Sequence, residues 1–199
     1  MNNICDEVAE VKGVTKHRVW SAAYHNMPLC KSALNHKPDI ALLDIAQQGM
    51  VTWHSIHAVA EVTSKSYDSK TTQATVRDKS YVILVTQANH VFVLVLSFWG
   101  QCKFWFTVTD HKGQLHSHVI NLGGHRPPAN SLAFLRALVA LCFVEKQHVG
   151  YDLTMETNAS NAIQSIKCAD LWFKVVEVIY ETQSLVGHAT RVWLIKNGY

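Results

Sequence analysis

A chain of 199 residues with 48% hydrophobic and 17% charged content has a globular composition and enough length for one good-sized core, which excludes a disordered or fibrous class. The net charge of +3 permits contact with a polyanion without requiring one. The five cysteines are odd in number and form no C-x-x-C pair, which argues against a zinc ribbon or a disulfide scaffold and suits reduced thiols in a cytosolic or nuclear protein.

The first 30 residues lack the basic-then-apolar pattern of a signal peptide. The most apolar runs, Val91–Trp99 and Leu132–Val144, are too short to span a bilayer, and Arg136 interrupts the second. The expectation is an intracellular protein without a membrane segment.

Residues 2–12 predict a short helix capped by Asn3 or Asp6, with Ile4, Val8 and Val11 as its apolar stripe and Gly13 as its stop. Residues 17–24 are weakly strand-like. Asp39–Ile45 is a short apolar run after Pro38, which suits a strand entering a sheet. A Gln-Gln-Gly turn follows, and Trp53–Thr63 reads as the partner strand. Period-two alternation puts Glu61 on the face opposite Ile56. Residues 71–88 predict a helix, although Val82, Ile83 and Val85 are also strand formers.

Val91–Trp99 is apolar without alternation, as in a strand covered on both faces. Gln101–Thr109 alternates, Asp110-His111-Lys112-Gly113 has turn chemistry, and Gln114–Asn121 reads as a further strand. After a loop over Gly123–Asn130, Ser131 is a good N-cap for a helix over 132–147, with Leu135, Leu138, Val139 and Cys142 at core spacing. Residues 152–165 are polar and read as linker. Leu171–Tyr180 and Arg191–Ile195 read as a terminal hairpin around residues 183–190. The fold class is therefore α/β in the α+β sense, a mixed sheet flanked by helices with a C-terminal β-hairpin. The expected division is a domain over 1–150, a linker over 151–170 and a hairpin over 171–199.

Asp39 and Glu61 are the leading site candidates. Two neighbouring carboxylates repel each other and hold a divalent cation readily, and Mg²⁺ keeps waters of which one can attack a phosphodiester. A lysine beside them would orient that water and stabilise charge on phosphate. This is the logic of a P-D…(D/E)-x-K nuclease core. Thr63 holds the lysine position of Glu61-Val62-Thr63, so Lys65, two residues on, is the substitute if the strand continues. The plain alternative is a capping aspartate and a solvated or paired glutamate. Glu10, or Glu7 beside it on the first helix, is the candidate third metal ligand, with exposed helix charges as its alternative.

Gln87 could face the acids, or make a structural hydrogen bond. On a strand, His54 and His57 would lie on opposite faces and not chelate together, whereas His116 and His118 would share one. Gly187-His188-Ala189-Thr190-Arg191-Val192 keeps only the first glycine of a phosphate-covering G-x-G-x-x-G loop. No G-x-x-x-x-G-K-[ST], G-x-S-x-G or H-E-x-x-H occurs.

Taken together, these stretches resemble the fungal-type protein kinase family. Lys37-Pro38-Asp39-Ile40, Trp53-His54-Ser55-Ile56 and Glu61 are similar to its N-terminal region. Gln87 to Val93 is similar to its Q-x-x-R-x-F-V stretch, with His90 in place of arginine. Asp110 to Ser117 is similar to D-R-x-G-x-x-x-S, with His111 in place of arginine. Gly150-Tyr151-Asp152-Leu153-Thr154 is similar to G-x-D-x-T, and Ser184–Trp193 resembles the first hairpin of the kinase domain.

The resemblance implies a restriction-endonuclease-like N-terminal part with Asp39 and Glu61 at its acid positions, and a kinase lobe cut short after two strands. Residues 1–199 contain no V-A-I-K-like lysine, H-R-D or D-F-G, the groups that position ATP, metal and hydroxyl. The expectation is a non-catalytic binding or regulatory module without ATP, with a nucleic-acid or protein partner and self-association through the terminal hairpin. The alternative is a Mg²⁺-dependent nuclease using Asp39, Glu61 and Lys65, with Glu10 on the metal.

Overall fold

The structure, a computed structural model, describes residues 1–26, 29, 36–47, 49–65, 70–100, 102–122, 129–158, 160–181 and 190–197. The expected turn around residues 183–189 and the proline loop over 123–128 lie outside the described residues.

The chain runs α1 (Asn2–Lys12), β1 (Arg18–Ser21), β2 (Ile40–Asp44), β3 (Ala58–Thr63), α2 (Lys70–Thr86), β4 (Phe92–Trp99), β5 (Lys103–Asp110), β6 (Gly113–His116), β7 (Ile120–Asn121), α3 (Ala129–Phe143), β8 (Met155–Thr157), β9 (Ile163–Cys168), β10 (Leu171–Glu181) and β11 (Arg191–Asn197). Short 3-10 turns cover Trp53–Ser55 and Lys146–Val149.

Strands β1 to β6 follow in order across one sheet, and β7 also pairs with β5. Among the described residues only β3 and β4 pair in parallel, and α2 supplies the crossover that a parallel pair needs. The two faces of this mixed sheet build two cores. Ala41, Leu43, Val59, Val93 and Val95 pack with Val76, Val82 and Ile83 of α2. Leu42, Ala58, Ala60 and Leu96 pack on the other face with Cys5 of α1 and Leu138, Leu141 and Cys142 of α3. The alternation of odd and even residues is the pleat expressed in sequence. The β4 run has no alternation because both faces are covered, as expected.

Helix α1 is where predicted, and Gly13 closes it in the left-handed region at φ 62°. Its stripe differs from expectation. Ile4 and Val11 are exposed, and Cys5 is the buried contact, against Cys142. Met1 occupies the N-cap position, and Asn2 instead pairs both ways with the Trp20 backbone.

The predicted strand Trp53–Thr63 is a 3-10 turn followed by a shorter strand, and the predicted strand Gln114–Asn121 is two. Helix α3 starts at Ala129, so Ser131 lies inside it and is not its cap. The segment expected as linker carries β8 and β9, so the terminal hairpin belongs to a four-stranded antiparallel sheet, β11-β10-β9-β8. The polarity of that segment comes from its turn. Asn158 Oδ1 accepts from the Ser160 and Ala162 backbone N–H groups, and Asn161 adopts φ 61°. Arg191 ties this sheet to the main body by donating to the Ala88 carbonyl at 2.7 Å near the end of α2. No helix of the described residues is long and apolar enough to cross a membrane.

Candidate functional site

Strand β2 carries an aspartate at each end, and each has a different surrounding. Ile40 pairs with Ala60, so Asp39 falls opposite Glu61 on the α2 face of the sheet. Asp39 Oδ2 accepts from the Val62 backbone N–H at 2.8 Å. The two predicted acids are thus brought together on one face.

The predicted lysine is not with them. Strand β3 ends at Thr63, and the Lys65 backbone N–H donates to Thr63 Oγ1 at 3.0 Å, so Lys65 turns away from the strand and is exposed. Lys79 of α2 takes its place. Its ammonium bonds Glu61 Oε2, with side-chain exposures of 6% for Lys79 and 8% for Glu61. The sequence signal was available: Val76, Lys79, Ser80 and Ile83 share the buried stripe of α2, and a lysine there needs a buried acid.

Burial raises the Glu61 pKa to about 7, outweighing the opposing pull of the Lys79 charge and its hydrogen bond. Glu61 Oε1 is buried with no hydrogen-bond partner among the described residues. Glu10 is exposed on α1, which packs on the opposite face of the sheet with α3, so the sheet separates it from the acid pair. Among the described residues no group of three or more His, Cys, Asp or Glu side chains could hold a metal ion. A divalent cation here would have Asp39 and a glutamate already neutralised by an ammonium. That donor set does not fit Mg²⁺, which is bound through charged carboxylates and its own waters.

At the other end of β2, Asp44 faces a polar cleft. Its Oδ1 lies 3.0 Å from His57 Nε2 and 3.9 Å from Arg18 Nε, and the His57 hydrogen bond lowers its pKa against a smaller effect of burial. Arg18, buried, also donates to the carbonyls of Leu141 (3.2 Å) and Val144 (2.6 Å). Burial lowers the His57 pKa, against the raising effect of Asp44.

Beside them lies a buried hydrogen-bond knot. Gln87 Nε2 donates to the carbonyls of Trp53 (2.8 Å) and Ile56 (2.7 Å), while its Oε1 accepts from the Tyr151 hydroxyl at 2.6 Å. His90 Nε2 donates to the Val149 carbonyl at 2.9 Å, and its ring stacks on Tyr151 at 4.3 Å. Burial lowers the His90 pKa to about 4. Gln87 thus has the structural role rather than one at the acid pair. The two stretches Gln87–Val93 and Gly150–Thr154 meet here, with backbone bonds from Val91 to Gly150 and from Asp152 to Asn89.

His54 and His57 do not sit on opposite faces of a strand. His54 is in the 3-10 turn, His57 precedes β3, and both line the same cleft. Sequence reasoning missed this because the turn breaks the period of two. Strand β6 ends at His116, which pairs with Thr107 Oγ1, so His118 lies beyond the strand rather than on its face. Asp110 Oδ1 accepts from the Lys112 and Gly113 N–H groups, a turn as expected.

The fold and these sites define a mixed α+β domain whose acid pair is closed by an internal lysine, joined to an antiparallel sheet. A family model described as fungal protein kinase matches residues 37–198, and the chain belongs to that family. No curated protein and no solved structure matches the chain.

Proposed function

We propose that residues 1–199 act as a non-catalytic binding or regulatory module of a fungal protein kinase-like protein, in which a nuclease-like acid site has been turned into a structural ion pair. The observation that carries this is the Glu61–Lys79 pair, sealed between β3 and α2. An ammonium on the carboxylate does the charge neutralisation that a metal would otherwise do, and Glu61 itself is only 6% exposed. Phosphoryl transfer is not among the module's tasks, since the residues that would hold ATP and its metal are absent from residues 1–199.

The second reading, a Mg²⁺-dependent nuclease, is favoured by one observation: Asp39, Glu61 and a lysine do converge on one face, with Lys79 in the role expected of Lys65. Calorimetric titration with Mg²⁺ and Mn²⁺, alongside plasmid cleavage, separates the two. The module reading expects neither heat nor cleavage. Metal-dependent cleavage that disappears in Asp39→Ala overturns it.

A further inference from the structure

Two thiols that stand 137 positions apart in the chain touch inside the fold. Cys5 of α1 holds its Sγ 3.6 Å from the Sγ of Cys142, near the end of α3, and both side chains are buried. A disulfide needs its sulfurs at about 2.05 Å, so closing the bond asks for a movement of about 1.5 Å, within the reach of side-chain rotation. While α1 is docked the pair is inert. Burial, with the neighbouring Cys5 thiol, pushes the Cys142 thiol up to about 12, against the charges of Lys16 and Arg18. The thiolate and not the thiol is the nucleophile, and no oxidant reaches a covered sulfur.

The two partners are held unequally. Cys142 is pinned, because its carbonyl accepts from the His17 N–H at 2.9 Å and Arg18 donates to the carbonyls of Leu141 and Val144 beside it. Helix α1 has Cys5 as its one buried side chain. Its polar ties are the Asn2 bonds to the Trp20 backbone and the ion pair of Asp6 with Lys16. A terminal helix with so little buried surface belongs to the low-stability end of a fold, where local opening precedes global unfolding. Such an opening uncovers both sulfurs, and redocking returns them to contact.

We propose that Cys5 and Cys142 form a redox staple, in which a peroxide oxidises the pair to a disulfide that locks α1 onto α3 and a thiol reductant releases it. One sulfur attacks a peroxide oxygen, the O–O bond breaks, and a sulfenic acid forms with loss of one water. The second sulfur attacks the sulfenic sulfur, the S–O bond breaks, and a second water leaves as the S–S bond forms. Two thiols and one hydrogen peroxide thus give one disulfide and two waters, a two-electron oxidation. The staple is separate from the Glu61–Lys79 pair and stands whether or not that pair is catalytic.

The test treats the full chain with hydrogen peroxide, digests it without reductant and reads the peptides by mass spectrometry. Cys102 and Cys168 are exposed and react on their own account, so the pairing must be mapped. The expected result is a Cys5–Cys142 cross-linked peptide, lighter by two hydrogens than its reduced halves and released by dithiothreitol. It should outweigh any pairing through Cys30, Cys102 or Cys168. Amide hydrogen exchange in α1 should be faster than in α3 in the reduced chain, and should slow by roughly tenfold or more once the bond forms. Cys5→Ala keeps the contact apolar and should lose both the cross-linked peptide and the slowing. Cys5 and Cys142 recovered unreacted or as sulfinic acids overturn the proposal, as does a cross-link without preference over the other cysteines. So do α1 amides that exchange no faster than those of α3 in the reduced chain, or that the cross-link leaves unchanged.

Discussion

The two ends of β2 begin alike and finish differently. Asp39 starts the strand opposite a glutamate, and Asp44 closes it beside a histidine. At the first end, α2 lies directly over the acids, and Lys79 removes Glu61 from solvent. At the second, the neighbours come from loops and from the start of the second sheet, which leave a cleft and an Asp44 side chain 40% exposed. A regular element can seal a charged group, because its side chains arrive at fixed spacing. Loops and turns leave the polar groups reachable. The acid pair drew attention in sequence, but the cleft is where reachable chemistry remains.

Gly150 offers the hardest way to break the cleft end alone. It holds φ at +107°, and a Cβ there would meet the Phe92 carbonyl oxygen at 2.0 Å and His90 Nε2 at 2.7 Å. Gly150→Ala should cost more than about 3 kcal/mol, because backbone strain and a backbone clash add. Urea unfolding gives the number, and a loss under about 1 kcal/mol would show that the Val149–Tyr151 segment is not locked as described.

At the acid end, Lys79→Met should cost about 3 kcal/mol or somewhat more, since a buried carboxylate loses its counter-charge. Glu61→Leu with Lys79→Met should recover most of that loss, as paired apolar replacements of buried ion pairs do. A double variant as unstable as the single one would mean that the two side chains do not act as a pair. Neither change should alter His57 or His90, which lie at the far end of the strand pair.

pH separates the ends by sign. His90 titrates near 4 when folded, below its ordinary 6.5. The unfolded chain therefore binds the extra proton first, and stability falls as pH drops from about 6.5 through 4, by on the order of 3 kcal/mol. Glu61 titrates near 7 when folded, above its ordinary 4.5. Here the folded chain holds the proton more tightly, so its contribution is full below 4.5 and is lost as pH rises through 7, again on the order of 3 kcal/mol. In the wild type the two slopes oppose each other. Unfolding free energies measured across this window should slope upward with pH in Glu61→Gln and downward in His90→Gln. Parallel curves for both variants would refute the assignment.

Much of this was legible in the chain. The apolar run of β4, the β2–β3 pair, the helix predicted over 71–88 and the Gly13 stop each follow from composition, propensity or a single residue type. What was hidden has a common cause. The 3-10 turn at Trp53–Ser55 breaks the phase before β3, so the alternation holds within β3 but misplaces His54 and His57 and wrongly puts Glu61 opposite Ile56, when both lie on the α2 side of the sheet. Strands β8 and β9 are short and half-exposed, and Asn158, Ser160 and Asn161 between them look like linker because turns use the same residues. The substitution of Lys79 for Lys65 is tertiary: 14 positions separate them in the chain, and only the packing of α2 over β3 makes them rivals.

The smallest expected effect probes how the knot behind the cleft is held. Tyr151→Phe removes the donor to Gln87 Oε1 without disturbing the ring stack on His90. Oε1 would be left facing His90 Nδ1 at 3.3 Å, which is a lone pair while Nε2 carries the proton for the Val149 carbonyl. Two acceptors do not bond, so a buried oxygen is orphaned at a cost of about 1–2 kcal/mol. The same loss gives His90 a reason to take a proton, because Nδ1–H could then donate to Oε1. The folded His90 pKa should rise above that of the wild type, and the acid limb of stability should soften with it. An NMR titration of His90 in both proteins reads this directly. An unchanged pKa together with unchanged stability would mean that the tyrosine hydroxyl is not what holds Gln87 in place.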